Sequence, residues 1–98
     1  MSQLAEVDWS CGKDAFISEW ANRINNYLAG SPIAGQGETF ATAAWENGVD
    51  PRWSPAISNT ESTKGANCFL PHNAWGWGST GWSSWEEAIN AHVAGLAK

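Results

Sequence analysis

One carboxylic acid in this chain has a position suited to acid catalysis. Glu61 lies where a helical pattern gives way to a segment rich in glycine and tryptophan. Cleavage of a glycosidic bond requires a carboxylic acid that stays protonated near neutral pH, and aromatic walls favour the neutral acid because they penalise the carboxylate. The segment after Glu61 offers such walls, which makes Glu61 the candidate general acid. The pattern is equally typical of a surface glutamate in the last turn of a helix.

Tryptophan is the most unusual part of the composition, with eight residues in a chain of 98. So small a core does not need this many, and some indoles are therefore expected at the surface. Indole faces beside asparagine and glycine turns suit sugar rings, whose C–H faces are apolar and whose hydroxyls need hydrogen-bond partners. Any one tryptophan is more often a core residue. For the cluster between Trp75 and Trp85 we favour sugar binding, with Trp75, Trp77 and Trp82 as candidates.

No second catalytic group is evident from the sequence. Asp50 precedes Glu61 by eleven residues, which along a helix is roughly 16 Å and too far for a carboxylate pair. Glu38, Glu86 and Glu87 could approach only through the tertiary fold, and the last two also suit the first turn of a helix. A lone acid is compatible with help from a substrate 2-acetamido group. It is also compatible with attack by a muramic hydroxyl, as in lytic transglycosylases.

The two cysteines, Cys11 and Cys68, have neither zinc-ligand spacing nor a matching histidine pattern. A single disulfide between them is predicted, with two unrelated buried thiols as the alternative. The bridge would exclude a thiol hydrolase built from Cys68 and His72. His72 and His92 also lack the Gly-x-Ser-x-Gly context of serine hydrolases. We expect no metal and no cofactor.

Helical spacing and capping signals predict about four helices that position these residues, with no strand-alternating run and no internal repeat. The residues between Thr63 and Trp82 are predicted to form an irregular loop or a short β-like excursion. The predicted helices run from Lys13 to Leu28, from Glu38 (or Ser31-Pro32) to Gly48, from Asp50-Pro51 (or Ser54-Pro55) towards Glu61, and from Ser84 to Leu96.

The composition indicates one small globular domain. Residues 1–98 leave room for a single core, and residues 1–12 form an N-terminal extension of it. A net charge of −5 with scattered basic residues argues against nucleic acid as a partner. No stretch approaches the roughly 20 apolar residues of a membrane span, and the first residues do not form a signal peptide. If the protein is exported, its signal lies outside this sequence, and a monomer is expected.

Three runs of this sequence resemble the lysozyme-like endo-β-N-acetylglucosaminidases of bacterial cell-wall autolysins. They are Asp-Pro-Arg-Trp-Ser-Pro-Ala-Ile at residues 50–57, Glu61-Ser62, and Asn-Ala-Trp-Gly-Trp-Gly at residues 73–78. The resemblance covers residues 37–96. The form with Cys68 and paired Trp-Gly is similar to actinobacterial members.

The resemblance implies an all-α lysozyme-like fold with the catalytic glutamate at the end of a helix. In that family the Asn-aromatic-Gly element forms a wall of the cleft. Glu61 would then be the general acid, and Ser62, Asn73 and Trp75 would lie near the substrate. The run Ser-Trp-Glu-Glu-Ala-Ile at residues 84–89 resembles the helix that buttresses the cleft.

The function implied by the resemblance is a secreted or cell-surface hydrolase that cleaves β-1,4 glycosidic bonds of peptidoglycan or a chitin-like glycan. Many family members continue after the Asn-aromatic-Gly element through a hairpin with a further tyrosine motif, whereas this chain passes almost directly from Gly78 to Ser84. A degenerate module that binds cell-wall glycan without cutting it is therefore the alternative. A structural domain whose exposed tryptophans contact another protein is a third interpretation.

Overall fold

The computed structural model describes residues 7–68, 70–76 and 81–98. Its helices are α1 (Lys13–Leu28), α2 (Gly37–Asn47), α3 (Trp53–Ser62) and α4 (Trp85–Leu96). Within the described ranges there is no strand, and the segment between α3 and α4 is irregular. The predicted all-α class is confirmed. Among these residues no helix combines the length and apolar character needed to span a bilayer.

α1 and α2 form an antiparallel pair. The Gly37 amide, at the start of α2, donates to Oδ1 of Asn25 in the second half of α1 at 2.8 Å. At the other end, Lys13 pairs with Glu46 at 3.8 Å. A Cβ at Gly37 would overlap the carbonyl oxygen of Ala21, so this close approach requires glycine. The apolar stripe that α1 buries recurs every four residues and consists of Phe16, Trp20, Ile24 and Leu28.

α3 begins at Trp53, between the two starts that the sequence predicted. Oδ1 of Asp50 accepts the Arg52 amide at 2.9 Å, and both carboxylate oxygens bind the Arg52 guanidinium at 2.9 and 2.6 Å. Asp50 therefore closes the turn before the helix instead of capping a helix that starts at residue 51. Burial raises the pKa of Asp50, but the hydrogen bonds and charge of Arg52 outweigh it and hold that pKa below its ordinary value.

α4 starts at the predicted capping box and closes the core. The hydroxyl of Ser84 accepts the Glu87 amide at 3.1 Å, and Oε1 of Glu87 accepts the Ser83 amide at 3.2 Å. These bonds satisfy amides that have no partner inside the helix. α4 packs mainly against α2. Its buried residues are Ala88, Ile89, His92 and Val93.

The predicted disulfide is contradicted by the structure, in which Cys11 and Cys68 are both free thiols. Cys11 precedes α1, whose 16 residues extend for about 24 Å. Cys68 follows Gly65, which packs against Ile33 just beyond the other end of α1. The two cysteines therefore lie near opposite ends of that helix, whereas a disulfide requires Cα atoms within roughly 7 Å. The spacing of the two cysteines in the sequence did not indicate this separation in the fold.

Candidate functional site

Glu61 lies in the last turn of α3, and its side chain is exposed. A Cβ atom placed on Gly76 would lie 3.4 Å from Oε2 of Glu61, so the carboxyl group rests against the bare backbone of the loop. Gly76 has a φ of +58°, a left-handed conformation that glycine adopts at little cost. Glu61 and the glycine of the Asn-Ala-Trp-Gly run at residues 73–76 are therefore neighbours in the fold.

The turn after Glu61 is built from residues in the left-handed region. Thr63 and Lys64 have φ angles of +53° and +56°, and Gly65 follows at +87°. The Lys64 amide donates to the carbonyl of Ser58 at 3.0 Å, which satisfies one of the last carbonyls of the helix. Left-handed backbone at a non-glycine residue costs on the order of 1 kcal/mol. The surrounding contacts therefore hold this turn in a costly conformation directly after the last turn of α3.

Ser62 fastens the end of α3 to the loop. It is 3% exposed, and its hydroxyl oxygen lies within hydrogen-bond distance of the carbonyls of Ala74 and, at 3.0 Å, Ser58. The same oxygen accepts the Gly65 amide at 2.9 Å. The two carbonyls share the single hydrogen of the hydroxyl group, and burial keeps this group away from solvent and from a bound glycan. The predicted contact of Ser62 with substrate is therefore corrected to a positioning role next to Glu61.

Trp75 is a core residue and not an exposed stacking platform. It is 3% exposed. Its Nε1 donates to the carbonyl of Ser54 at 2.9 Å, and its ring stacks on His92 with centroids 4.8 Å apart and planes inclined by 15°. Its ring also meets Phe40 at an angle of 67°. The predicted sugar-stacking role is therefore corrected: Trp75 anchors the loop that carries Gly76.

Ser54 and His92 form a buried polar pair that sequence reasoning missed. Their side chains are 2% and 3% exposed, and Oγ lies 2.7 Å from Nδ1. Burial lowers the pKa of His92 to about 4, because the imidazolium would lose its hydration. The ring is thus neutral near pH 7. A serine beside a histidine suggests a nucleophile, but the burial of both excludes a substrate, and the pair supports Trp75 instead. The available signal was the position of His92 within the apolar stripe of α4.

The remaining predicted sugar-binding residues have different environments. Asn73 is buried at 5% exposure. Trp82 is half-buried, with its amide donating to the Pro71 carbonyl at 2.8 Å and its own carbonyl accepting from Nδ1 of His72 at 2.7 Å. Trp77 lies outside the described residues. Of these three, Trp82 is the one seen to keep part of its surface accessible.

The other carboxylates considered as a second catalytic group have their own surroundings. Asp50 binds Arg52 at the opposite end of α3, and Glu87 accepts from Ser83. Glu38 and Glu86 line a groove between α2 and α4, together with Thr39, Thr42 and Asn90. Glu61 does not line that groove, so the fold leaves these acids in sites separate from it.

Three basic residues, predicted to be scattered, gather on one face of the molecule. The guanidinium carbons of Arg23 and Arg52 lie 4.8 and 5.6 Å from the ring centre of Trp20. Nζ of Lys64 lies 4.1 Å from the ring centre of Tyr27. Residues of α1 and α3 line a common pocket that includes Arg23, Arg52 and Tyr27, so the fold brings these cations together, which linear spacing did not reveal.

In the part of the chain that the structure describes, no group of three or more His, Cys, Asp or Glu side chains is arranged to hold a metal ion. Comparison of the chain with models of protein families, with curated proteins and with solved structures gives no match. The likeness to the lysozyme-like glucosaminidases therefore rests on the motifs quoted above.

Proposed function

We propose that this protein is a hydrolase of cell-wall glycan that cleaves β-1,4 glycosidic bonds with Glu61 as the general acid. The observation that carries the proposal is the exposed carboxyl group at the end of α3, lying against the bare backbone of Gly76. An acid that protonates a polymer must be reachable from solvent, and glycine lets the loop backbone lie close to the carboxyl group without covering it. A secreted or cell-surface location follows from such a substrate.

The frame around Glu61 supports this proposal because catalysis depends on accurate positioning. Ser62 ties the end of α3 to the loop through the backbone carbonyl of Ala74. One residue before Gly76, Trp75 is locked by its hydrogen bond to Ser54 and by stacking on His92. The buried groups thus act as supports, and Glu61 is left as the reactive side chain.

The proposed reaction begins with proton transfer from Glu61 to the glycosidic oxygen as the bond to the anomeric carbon breaks. The anomeric carbon, which develops positive charge, is captured by the substrate's own 2-acetamido oxygen or by a muramic hydroxyl. In the first case water then opens the cyclic intermediate and gives a proton back to the Glu61 carboxylate, which completes hydrolysis. In the second case the hydroxyl proton passes to that carboxylate and an anhydro sugar forms. Asp50 is bound to Arg52 and does not fit this role. Because Glu61 is exposed before substrate binds, the bound glycan itself must supply much of the enclosure around its carboxyl group.

The deciding experiment compares Glu61→Gln with Glu38→Gln, an exposed glutamate in the first turn of α2, on purified cell wall. We expect Glu61→Gln to lower release of soluble fragments by at least about 100-fold, the usual contribution of a general acid. Glu38→Gln should retain activity, and circular dichroism should show an intact fold for both. Undiminished release by Glu61→Gln overturns the assignment. Mass spectrometry of the products distinguishes hydrolysis on either side from transglycosylation through reducing ends and anhydro sugars.

The exposure of Glu61 also favours a second candidate, a module that binds glycan without cutting it. This function predicts that the wild-type protein sediments with cell wall and that chitin oligomers quench its tryptophan fluorescence without becoming shorter. Trp77→Ala should then weaken binding. Shortening of the oligomers by the wild-type protein, but not by Glu61→Gln, excludes this candidate.

A further inference from the structure

The seam between α1 and α3 contains an apolar pocket that the proposed hydrolase function does not use. Its volume is about 230 Å³, and its apolar wall includes Trp20, Ile24, Pro55 and Ala56. Ala56 and Glu61 are five residues apart on α3, which separates their directions by about 140° around the helix axis. The pocket therefore opens on a different side of α3 from the candidate catalytic acid.

Three cations follow this seam and give it a charge opposite to that of the whole protein. Arg23 and Arg52 line the pocket and lie over the Trp20 ring, and Lys64 lies over Tyr27, which also lines the pocket. Arg52 and Lys64 flank the ten residues of α3, so the row of cations extends for roughly 15 Å. Contact with aromatic rings holds each cation over apolar surface.

The two arginines retain hydrogen-bonding capacity for a ligand. Arg23 donates one N–H to Glu19 at 2.6 Å, and Arg52 donates two to Asp50. A guanidinium carries five N–H donors, so donors remain on both side chains. The seam holds three cations and the two carboxylates paired with them, Glu19 and Asp50, so its local charge is positive. The whole chain, in contrast, has a net charge of −5.

We propose that this seam binds a short acidic peptide, with one large apolar side chain in the pocket and carboxylates paired with Arg23, Arg52 and Lys64. The pocket is smaller than the roughly 300–1,000 Å³ of typical small-molecule sites, so it fits one side chain better than a whole ligand. The length of the cation row fits an extended segment with more than one negative charge. Charge complementarity of this kind determines which partner is accepted. The proposal does not depend on the chemistry of Glu61.

Three N-acetylated, amidated tripeptides test the two components of the site with the full chain. Glu-Phe-Glu carries both charge and anchor, Gln-Phe-Gln lacks the charge, and Glu-Gly-Glu lacks the anchor. By calorimetry we expect saturable binding of the first and at least roughly tenfold weaker binding of the other two. Added salt should weaken binding of Glu-Phe-Glu, because Arg23 is exposed and Arg52 and Lys64 keep part of their surface in solvent. NMR shifts should concentrate on the Trp20 indole and the Ala56 amide.

Two variants and a control locate the binding. Arg23→Gln should lower affinity by roughly tenfold, and Ala56→Leu should abolish binding by filling the pocket. Lys98→Gln, which removes one charge at the end of the chain, should bind as the wild type does, as should Glu61→Gln. Equal binding of Gln-Phe-Gln, wild-type affinity in Arg23→Gln, or no saturation up to roughly 10 mM would each overturn the proposal. Because Arg23 lies at the surface, its variant keeps the test decisive even if Ala56→Leu fails to fold.

Discussion

Mild acid should destabilise this protein through His92. The ring is 3% exposed, and burial lowers its pKa from 6.5 to about 4. In the unfolded chain the imidazole is hydrated and regains its ordinary pKa. Between these two values the unfolded chain binds a proton that the folded chain does not. The free energy of unfolding therefore falls as pH falls through this window.

The size of the effect follows from the difference between the two pKa values. Each pKa unit corresponds to about 1.4 kcal/mol, so the difference from 6.5 to about 4 amounts to about 3 kcal/mol. This contribution is complete above pH 6.5 and is lost by about pH 4. A typical small domain has a stability of about 5–15 kcal/mol. Protonation of this one side chain on unfolding would therefore remove a substantial part of the free energy of unfolding.

Urea unfolding of the wild type and of His92→Gln, at about pH 7 and about pH 4, measures this contribution. Glutamine can still bond with Ser54 but cannot titrate, and the carboxylates titrate equally in both proteins. The difference in unfolding free energy, wild type minus variant, should therefore fall by about 3 kcal/mol over this range. Ser54→Ala retains the histidine and should retain the pH dependence. If the wild type and His92→Gln lose equal stability, burial of His92 is not the cause of acid sensitivity.

Two further predictions test the packing and the cysteines. Gly37→Ala should lower the free energy of unfolding by about 1–3 kcal/mol in urea, because its methyl group would overlap the carbonyl of Ala21; an unchanged midpoint would contradict the close approach of α2 to α1. Alkylation without reductant should add two groups by intact mass, because Cys11 and Cys68 are free thiols. If alkylation instead requires prior reduction, and reduction raises the intact mass by roughly 2 Da, the two cysteines form the predicted disulfide after all.

The helices were predictable because their signals are local. The buried stripe of α1 and the hydroxyl cap of α4 can be seen in the sequence, and both occur as expected. The start of α3 was not predicted correctly. Asp50 has the residue type of a helix cap, but its carboxylate is occupied by the Arg52 guanidinium. The ion pair between Asp50 and Arg52 competes with capping of the helix by Asp50. Sequence spacing alone does not determine which of the two forms.

The candidate site was predictable only in part, because the direction of each side chain depends on distant partners. The motif resemblance anticipated Glu61 and Gly76 as parts of one site, and they are neighbours. Trp75 was expected at the surface, but His92 on α4 provides a stacking partner that draws it into the core. Arg23 and Arg52 were expected to be separate, but the fold brings both to the ring of Trp20.

If Glu61 is the general acid, two effects of pH act on this protein in opposite directions. A general acid must hold its proton, so its own chemistry is favoured as pH falls. The frame beneath it weakens over the same range, because the buried His92 supports Trp75, which precedes Gly76. Part of any fall of activity on the acid side would then come from the weakened frame and not from the acid itself. Stabilising the frame without changing Glu61 should extend the active range towards lower pH.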